Sequence, residues 1–296
     1  MRDLLTVLLG TATGILSGLF GVGGGVISQP GMRLLGLEPL VVIGTALPVI
    51  IPGAASGAIR YVRESLIHWP AVVATVPAGL VAAVIGSALS ERVPGEGHLL
   101  QVITACLLGF SAWRMGRQAP PRAADAALAP EAGTVLADTV EAPGAPHGAD
   151  AAPPVGDRKV VGDPIPAVPA GATPKWRFTA IGVVSGLLSG LLGIGGGVVM
   201  VPAFVQLAGM QMKAAIATSL VCVGLFAIPG TVTHAAQGQV DWRVALALVV
   251  GVVPGARIGA ALAITATDRR LRVSVATFLG AIAVLYGASE LGALLG

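Results

Sequence analysis

A seventeen-residue segment occurs twice in this chain of 296 residues, in two copies too alike for shared apolar composition to explain. Residues 14–30 read GILSGLFGVGGGVISQP and residues 186–202 read GLLSGLLGIGGGVVMVP, with eleven identities at an offset of 172. At an offset of 173, Thr45 meets Thr218, Trp69 meets Trp242 and Gly86 meets Gly259. The chain is a duplication, so its fold must be built from two related halves.

Each half is too apolar to be a soluble domain. Only 11% of residues are charged, against about 25% in soluble domains, and the mean hydropathy is +0.84. Most side chains must face lipid or other apolar helices, which predicts an all-α integral membrane protein. Aromatics are scarce, while the 42 glycines suit helices that associate by close backbone approach. Apolar runs fall at roughly 4–20, 26–37, 40–59, 69–90 and 98–116, and again at roughly 177–192, 198–209, 213–235, 242–265 and 271–294. A hydrocarbon core about 30 Å thick needs about 20 helical residues. The runs 26–37 and 198–209 are too short for that, which marks them as half-helices or re-entrant segments. The first run has the length of a signal peptide but continues into the glycine motif with no A-x-A-like site, so it is read as retained.

Between the halves, 118–174 is rich in Ala, Pro, Gly and Asp, without periodicity. Such a segment buries too little apolar surface to offset its chain entropy and reads as a disordered linker. The division is therefore 1–117 and 175–296 for the two membrane repeats, joined by 118–174. The linker holds three basic and seven acidic residues, so the basic excess belongs to the short loops, where it reports topology rather than nucleic-acid binding. Arg60, Arg63, Arg114, Arg117 and Arg122 fall on one side in the first half. In the second, Lys175, Arg177, Arg269, Arg270 and Arg272 mark the opposite set of loops. Equivalent loops then lie on opposite faces, and the repeats are inverted. Inversion needs an odd number of membrane-entering segments per half, which five supply if each half starts with a helical hairpin tipped by glycines. This arrangement predicts an inner-membrane protein with a cytoplasmic linker and both termini periplasmic.

The motif Gly21-Val22-Gly23-Gly24-Gly25 precedes a short helix expected near Val26, and Gly193–Gly197 precedes another near Val198. A helix N-terminus offers unpaired N–H groups and roughly half a positive charge, and binds anions without a basic side chain. Two such tips entering from opposite faces would meet near the midplane and form an anion site. The substrate-binding candidates are therefore Gly23, Gly24, Gly25 and Val26 with Gly195, Gly196, Gly197 and Val198. The competing reading is that the glycines only permit tight packing. Nucleotide binding fails on spacing, because G-x-G-x-x-G would require glycine where Val26 and Val198 stand.

The paired G-x-x-S-G-x-x-G-[VI]-G-G-G-x-x-x-x-P motif, four further helices per half, and the His68-Trp69 and Asp241-Trp242 positions resemble the sulfite exporter TauE/SafE family. The resemblance covers both halves, about 240 residues, and not the linker. It implies a bacterial permease for sulfite, sulfonates or related small organosulfur or organic anions.

Thr45, Thr218 and Ser219 lie early in the helices after the hairpins, where hydroxyls could supplement the amides or simply bond the preceding turn. Pro48, Pro52 and Pro229 either break their helices or kink them. Arg257 is the one basic residue well inside an apolar run, and is read as a gate or as a snorkelling anchor. Tyr61 and His234 are matched and read as interfacial. Cys106 and Cys222 lie in apolar runs and read as small buried hydrophobes. No carboxylate lies mid-membrane, so neither a carboxylate proton relay nor a cation site is evident. No ATP-hydrolysis motif, G-x-S-x-G nucleophile, metal spacing or cofactor fingerprint occurs. The expected partners are a small anion and the lipid bilayer, with no nucleic acid and no signal for oligomeric state. A secondary carrier working by alternating access, most simply an exporter, is the leading expectation. A channel, an uptake permease, an intramembrane enzyme and a scaffold are the alternatives.

Deleting most of 125–170 is expected to leave membrane insertion and transport near wild type, because its large apolar residues are too few and too scattered to dock it. Flux measured on purified protein of normal yield checks this.

Overall fold

In a computed structural model that describes residues 2–90, 98–117 and 174–295, ten helices follow the expected runs closely. They are α1 (Arg2–Phe20), α2 (Gly25–Leu34), α3 (Pro39–Arg63), α4 (Trp69–Ser90) and α5 (His98–Gly116). The second half gives α6 (Lys175–Leu192), α7 (Gly197–Leu207), α8 (Met212–Ala236), α9 (Trp242–Thr265) and α10 (Asp268–Leu295). The expected linker lies outside the described residues, apart from Pro174, which caps the start of α6.

Five helices are long and apolar enough to cross a bilayer: α3, α4, α8, α9 and the Asp268–Gly287 part of α10. The stretches Leu4–Phe20, Val102–Gly116 and Gly197–Leu207 are apolar but shorter. The protein is thus an all-α, multi-pass membrane bundle. At about 1.5 Å per residue, the 10-residue α2 and 11-residue α7 reach only about half the hydrocarbon thickness.

Local sequence explains where helices start and stop. Pro39 occupies the first position of α3, where its missing N–H costs nothing. The Asp241 carboxylate accepts from the N–H groups of Arg243 and Val244 at 3.0 and 3.1 Å and so starts α9. Helix α3 ends in a Schellman turn, with Leu66 N–H donating to the Tyr61 carbonyl and Ser65 N–H to Val62. Helix α8 ends the same way through Gln239 to His234 and Gly238 to Ala235. The left-handed position is Gly238 in one turn and Ser65 (φ 54°) in the other. The prolines 48, 52 and 229 lie within continuous helices, so they do not break them.

The halves are joined by glycine-on-backbone packing. Gly10, Gly14 and Gly18 of α1 press onto Leu248, Val252 and Ala256 of α9, while Gly251, Gly255 and Gly259 press back onto Val7, Thr11 and Ile15. Along α6, Gly182, Gly186 and Gly190 press onto Thr75, Gly79 and Ala83 of α4. In each case a Cβ would run into a carbonyl oxygen of the facing helix. Helix α3 crosses α8 and α9, with Ser56 Oγ donating to the Val253 carbonyl at 2.7 Å. Helix α5 lies along α10.

Two substitutions test this architecture. Gly255→Val, which drives a branched side chain into the α1 backbone, is expected to abolish recovery of monodisperse protein in detergent. Gly287→Val, where a Cβ meets nothing within 4 Å, is expected to be tolerated. Ser65→Gly relieves a left-handed non-glycine position and should raise stability by about 0.5–1 kcal/mol, read as a higher melting temperature.

Candidate functional site

The glycine motifs turn each half's first helix back on itself. Leu9 of α1 lies against Gly31 of α2, and Thr13 lies against Gly24. In the second half the Arg177 guanidinium donates to the Leu207 carbonyl at 3.1 Å, joining the start of α6 to the end of α7. Glycine is required at the turns: Gly21, Gly23, Gly193, Gly195 and Gly196 all have positive φ.

The two tips touch. A Cβ built on Gly23 would stand 3.6 Å from the Cα of Gly195, and the converse distance is also 3.6 Å. Gly25 packs on Gly193 and Ile194, and Gly197 on Gly21 and Val22. Helices α3 and α8 close over the junction with residues equivalent at an offset of 173. Ile43 backs Gly193 while Ile216 backs Gly21, and Ile50 and Val223 flank the Gly23–Gly195 contact. Every residue of 21–26 and 192–198 is buried.

Burial makes the backbone donors conspicuous. The first helix bonds run from Ile27 and Ser28 to the Gly24 carbonyl, and from Val199 and Met200 to Gly196. The N–H groups of Gly24, Gly25 and Val26, and of Gly196, Gly197 and Val198, have no acceptor among the described residues. Buried N–H groups are nearly always paired. Six unpaired donors at one junction give it partial positive charge without a basic side chain, offset in part by the C-termini of α1 and α6 that end at the same tips.

The remaining candidates separate. Ser219 belongs to the junction, with its hydroxyl donating to the Gly21 carbonyl at 2.9 Å. Thr45 accepts from the Asp241 N–H at 2.9 Å, and Thr218 accepts from the His68 N–H at 3.0 Å. These equivalent bonds each tie a helix of one half to the loop before Trp242 or Trp69 in the other, and leave the O–H proton and one lone pair of each threonine for another partner. Arg257 is exposed on α9. Tyr61 and His234 are fully buried, not interfacial: the Tyr61 hydroxyl donates to the Gly18 carbonyl at 2.6 Å, and His234 pairs with Gln239. Cys222 is buried as expected, but Cys106 is exposed on α5.

Sequence reasoning missed Gln29. Its amide donates to the Leu192 carbonyl at 2.7 Å, and its oxygen accepts from the Tyr286 hydroxyl at 2.9 Å. It thereby links α2, the end of α6 and α10. The signal was a lone amide in a short apolar segment whose repeat equivalent is Val201.

This arrangement sits in a recognisable lineage. The family model described as sulfite exporter TauE/SafE matches residues 6–286, covering both halves. The chain belongs to the TauE/SafE family. It is 27% identical over 271 residues to the probable membrane transporter protein YunE of Bacillus subtilis, covering 88% of this chain and 89% of that one. A probable membrane transporter protein of Xylella fastidiosa is 25% identical, covering 88% and 84%. The probable membrane transporter protein MamO of Paramagnetospirillum magneticum is 28% identical over 86% of this chain but only 39% of its own length. No solved structure matches the fold. Membership makes this a membrane transporter rather than an enzyme.

Thr45→Val and Thr218→Val each remove the acceptor of a loop N–H and should cost about 1 kcal/mol of stability. Serine at either position should restore most of it. Melting temperatures of the purified variants check both.

Proposed function

We propose that this chain is a secondary transporter, an exporter by default, for a small anion such as sulfite, a sulfonate or a related organosulfur or organic anion. The observation that carries the reading is the set of six buried, unpaired N–H donors where the two glycine tips meet. An anion bound there satisfies donors that Ile43, Ile50, Ile216 and Val223 help to bury. The absence of buried Lys or Arg among the described residues fits a ligand that must be released as readily as it is bound.

The two halves, 1–117 and 175–296, are read as inverted repeats of five segments, joined by a cytoplasmic linker over 118–174, with both termini periplasmic. Supporting this are the equivalent cross-bonds of Thr45 and Thr218, and the reciprocal packing of each half's first helix on the fourth helix of the other. Alternating access then follows if the pair of hairpins tilts against the remaining helices and opens the junction to one face at a time. Cysteine labelling near Gly133 tests the topology: protection from impermeant reagents added outside is expected, and labelling there overturns it.

Flux of sulfite and sulfonates into proteoliposomes tests the function, and absence of flux for every small anion tried would overturn it. Position-by-position substitution tests the site. Gly24 has an ordinary helical φ of −66°, and a Cβ there meets only the Thr13 methyl group. Gly24→Ala should therefore fold and yet weaken anion-induced stabilisation at least tenfold. Gly196 has φ 70°, and a Cβ there would run into the Ser185 carbonyl oxygen. Gly196→Ala should therefore also lower stability without anion, by more than the cost of about 1 kcal/mol that the backbone conformation alone carries. Normal anion binding by Gly24→Ala would count against the amide site.

A further inference from the structure

Beside each tip stands a hydroxyl with nothing to bond. Thr13 on α1 and Ser185 on α6 are equivalent at the offset of 172. Both are fully buried, and neither side-chain oxygen has a partner. The Thr13 methyl carbon lies 2.9 Å from the point a Cβ on Gly24 would occupy, and Ser185 Cβ lies 3.3 Å from the corresponding point on Gly196. Ser189, one turn further along α6, is also fully buried and unpaired. A buried hydroxyl without a partner is destabilising. The halves nonetheless keep one at equivalent places, on the residues that pack against Gly24 and Gly196, whose N–H groups also lack acceptors. Such a cluster is explained by a guest rich in acceptor atoms.

We infer that Thr13 and Ser185 are side-chain ligands of the transported anion, and that the site selects a singly charged oxyanion over a doubly charged one. This rests on the glycine-tip reading and adds the ligand's charge to it. Two helix N-termini supply roughly half a positive charge each, and the C-termini of α1 and α6, which end at the same tips, offset part of it, so the junction carries at most about one. No lysine, arginine, aspartate or glutamate is buried among the described residues. The buried imidazole, His234, sits in the last turn of α8 and pairs with Gln239. Helix α8 meets the tips through Ile216, Ser219 and Val223, while His234, eleven residues beyond Val223, packs on Gly44 of α3 and is not among the nearest neighbours of any tip glycine. At most one negative charge is thus compensated, whereas a second would be left buried and unpaired. A hydroxyl, unlike an N–H, also accepts a hydrogen bond. Thr13 and Ser185 can therefore receive the O–H of an oxyanion that has kept a proton, as well as donate to its bare oxygens.

Probes of fixed charge test the inference on the purified full-length chain. Methanesulfonate carries one charge and sulfate two; binding is measured by calorimetry or thermal shift at matched ionic strength. Methanesulfonate is expected to bind at least tenfold more tightly than sulfate, and the affinity for sulfite to fall as pH rises and its last proton is lost. Thr13→Val and Ser185→Ala should each weaken methanesulfonate binding about five- to tenfold, with Thr13→Ser retaining it. Without anion, both variants should melt at or above the wild-type temperature, since each removes an unpaired buried hydroxyl. If Thr13→Val does not fold, Thr13→Ala takes its place. Equal affinity for sulfate and methanesulfonate, or wild-type binding by the Thr13 and Ser185 variants, overturns the inference and leaves the tip site standing. Binding of no anion at all by the wild type overturns the tip site itself.

Discussion

Helix backbones that touch with no side chain between them hold this protein together. In lipid there is little hydrophobic drive for one apolar helix to leave the acyl chains for another, so association depends on close packing. The glycines four residues apart on α1 and α6 supply that packing, and each row lies against a helix of the other half. The same α1 and α6 end in the glycine tips. The rows that zip the halves together are thus also the rails that bring Gly23 and Gly195 into contact. A fold in which each half packed only on itself would leave the tips apart.

Equivalence around the junction is close but incomplete. Ile43 and Ile216, Ile50 and Val223, and Thr45 and Thr218 fill matching places. Gln29 faces no counterpart, since Val201 stands at its equivalent, and Tyr286 holds that amide from α10. Tyr61 and His234 end matched helices with different chemistry. Under the proposed alternating access, a perfectly symmetric pair of halves would make the two facing directions equal in energy. These unmatched polar contacts are where one direction can be favoured, because forming them in one state and not in the other costs a hydrogen bond in a dry interior.

Much of this was legible in the sequence, and for identifiable reasons. Ten apolar runs of the right lengths gave ten helices, because a lipid-embedded backbone must satisfy its own hydrogen bonds. The two short runs became α2 and α7, and the glycine motifs became turns with positive φ. Pairing between helices was not legible. Gly10, Gly14 and Gly18 mark a face that must be approached closely, yet spacing alone does not say that α9 approaches it. The roles of Thr45 and Thr218 were hidden for the same reason: their partners, the N–H groups of Asp241 and His68, are 196 and 150 residues away. Arg257 lies in an apolar run as a buried charge would, and the run alone does not show that it is exposed on α9.

The glycine motif invited two explanations, packing and anion binding, and position divides them. Gly21, Gly25, Gly193 and Gly197 are pressed against backbone or the Ile216 and Ile43 segments, so there a side chain is excluded by packing alone. Gly24 meets only a threonine methyl group, so packing does not fully account for it. The two roles nevertheless depend on one another. Tips that approach this closely expel water from the first turns of α2 and α7, and an N–H that has lost its water is a stronger electrostatic partner than one still hydrated. Bulkier residues at the packing positions would hold the tips apart, let water in, and weaken the donors even if every N–H kept its direction. Under the proposed anion site, tight packing is therefore what turns two ordinary helix starts into a place where a small anion meets shielded donors without a basic side chain.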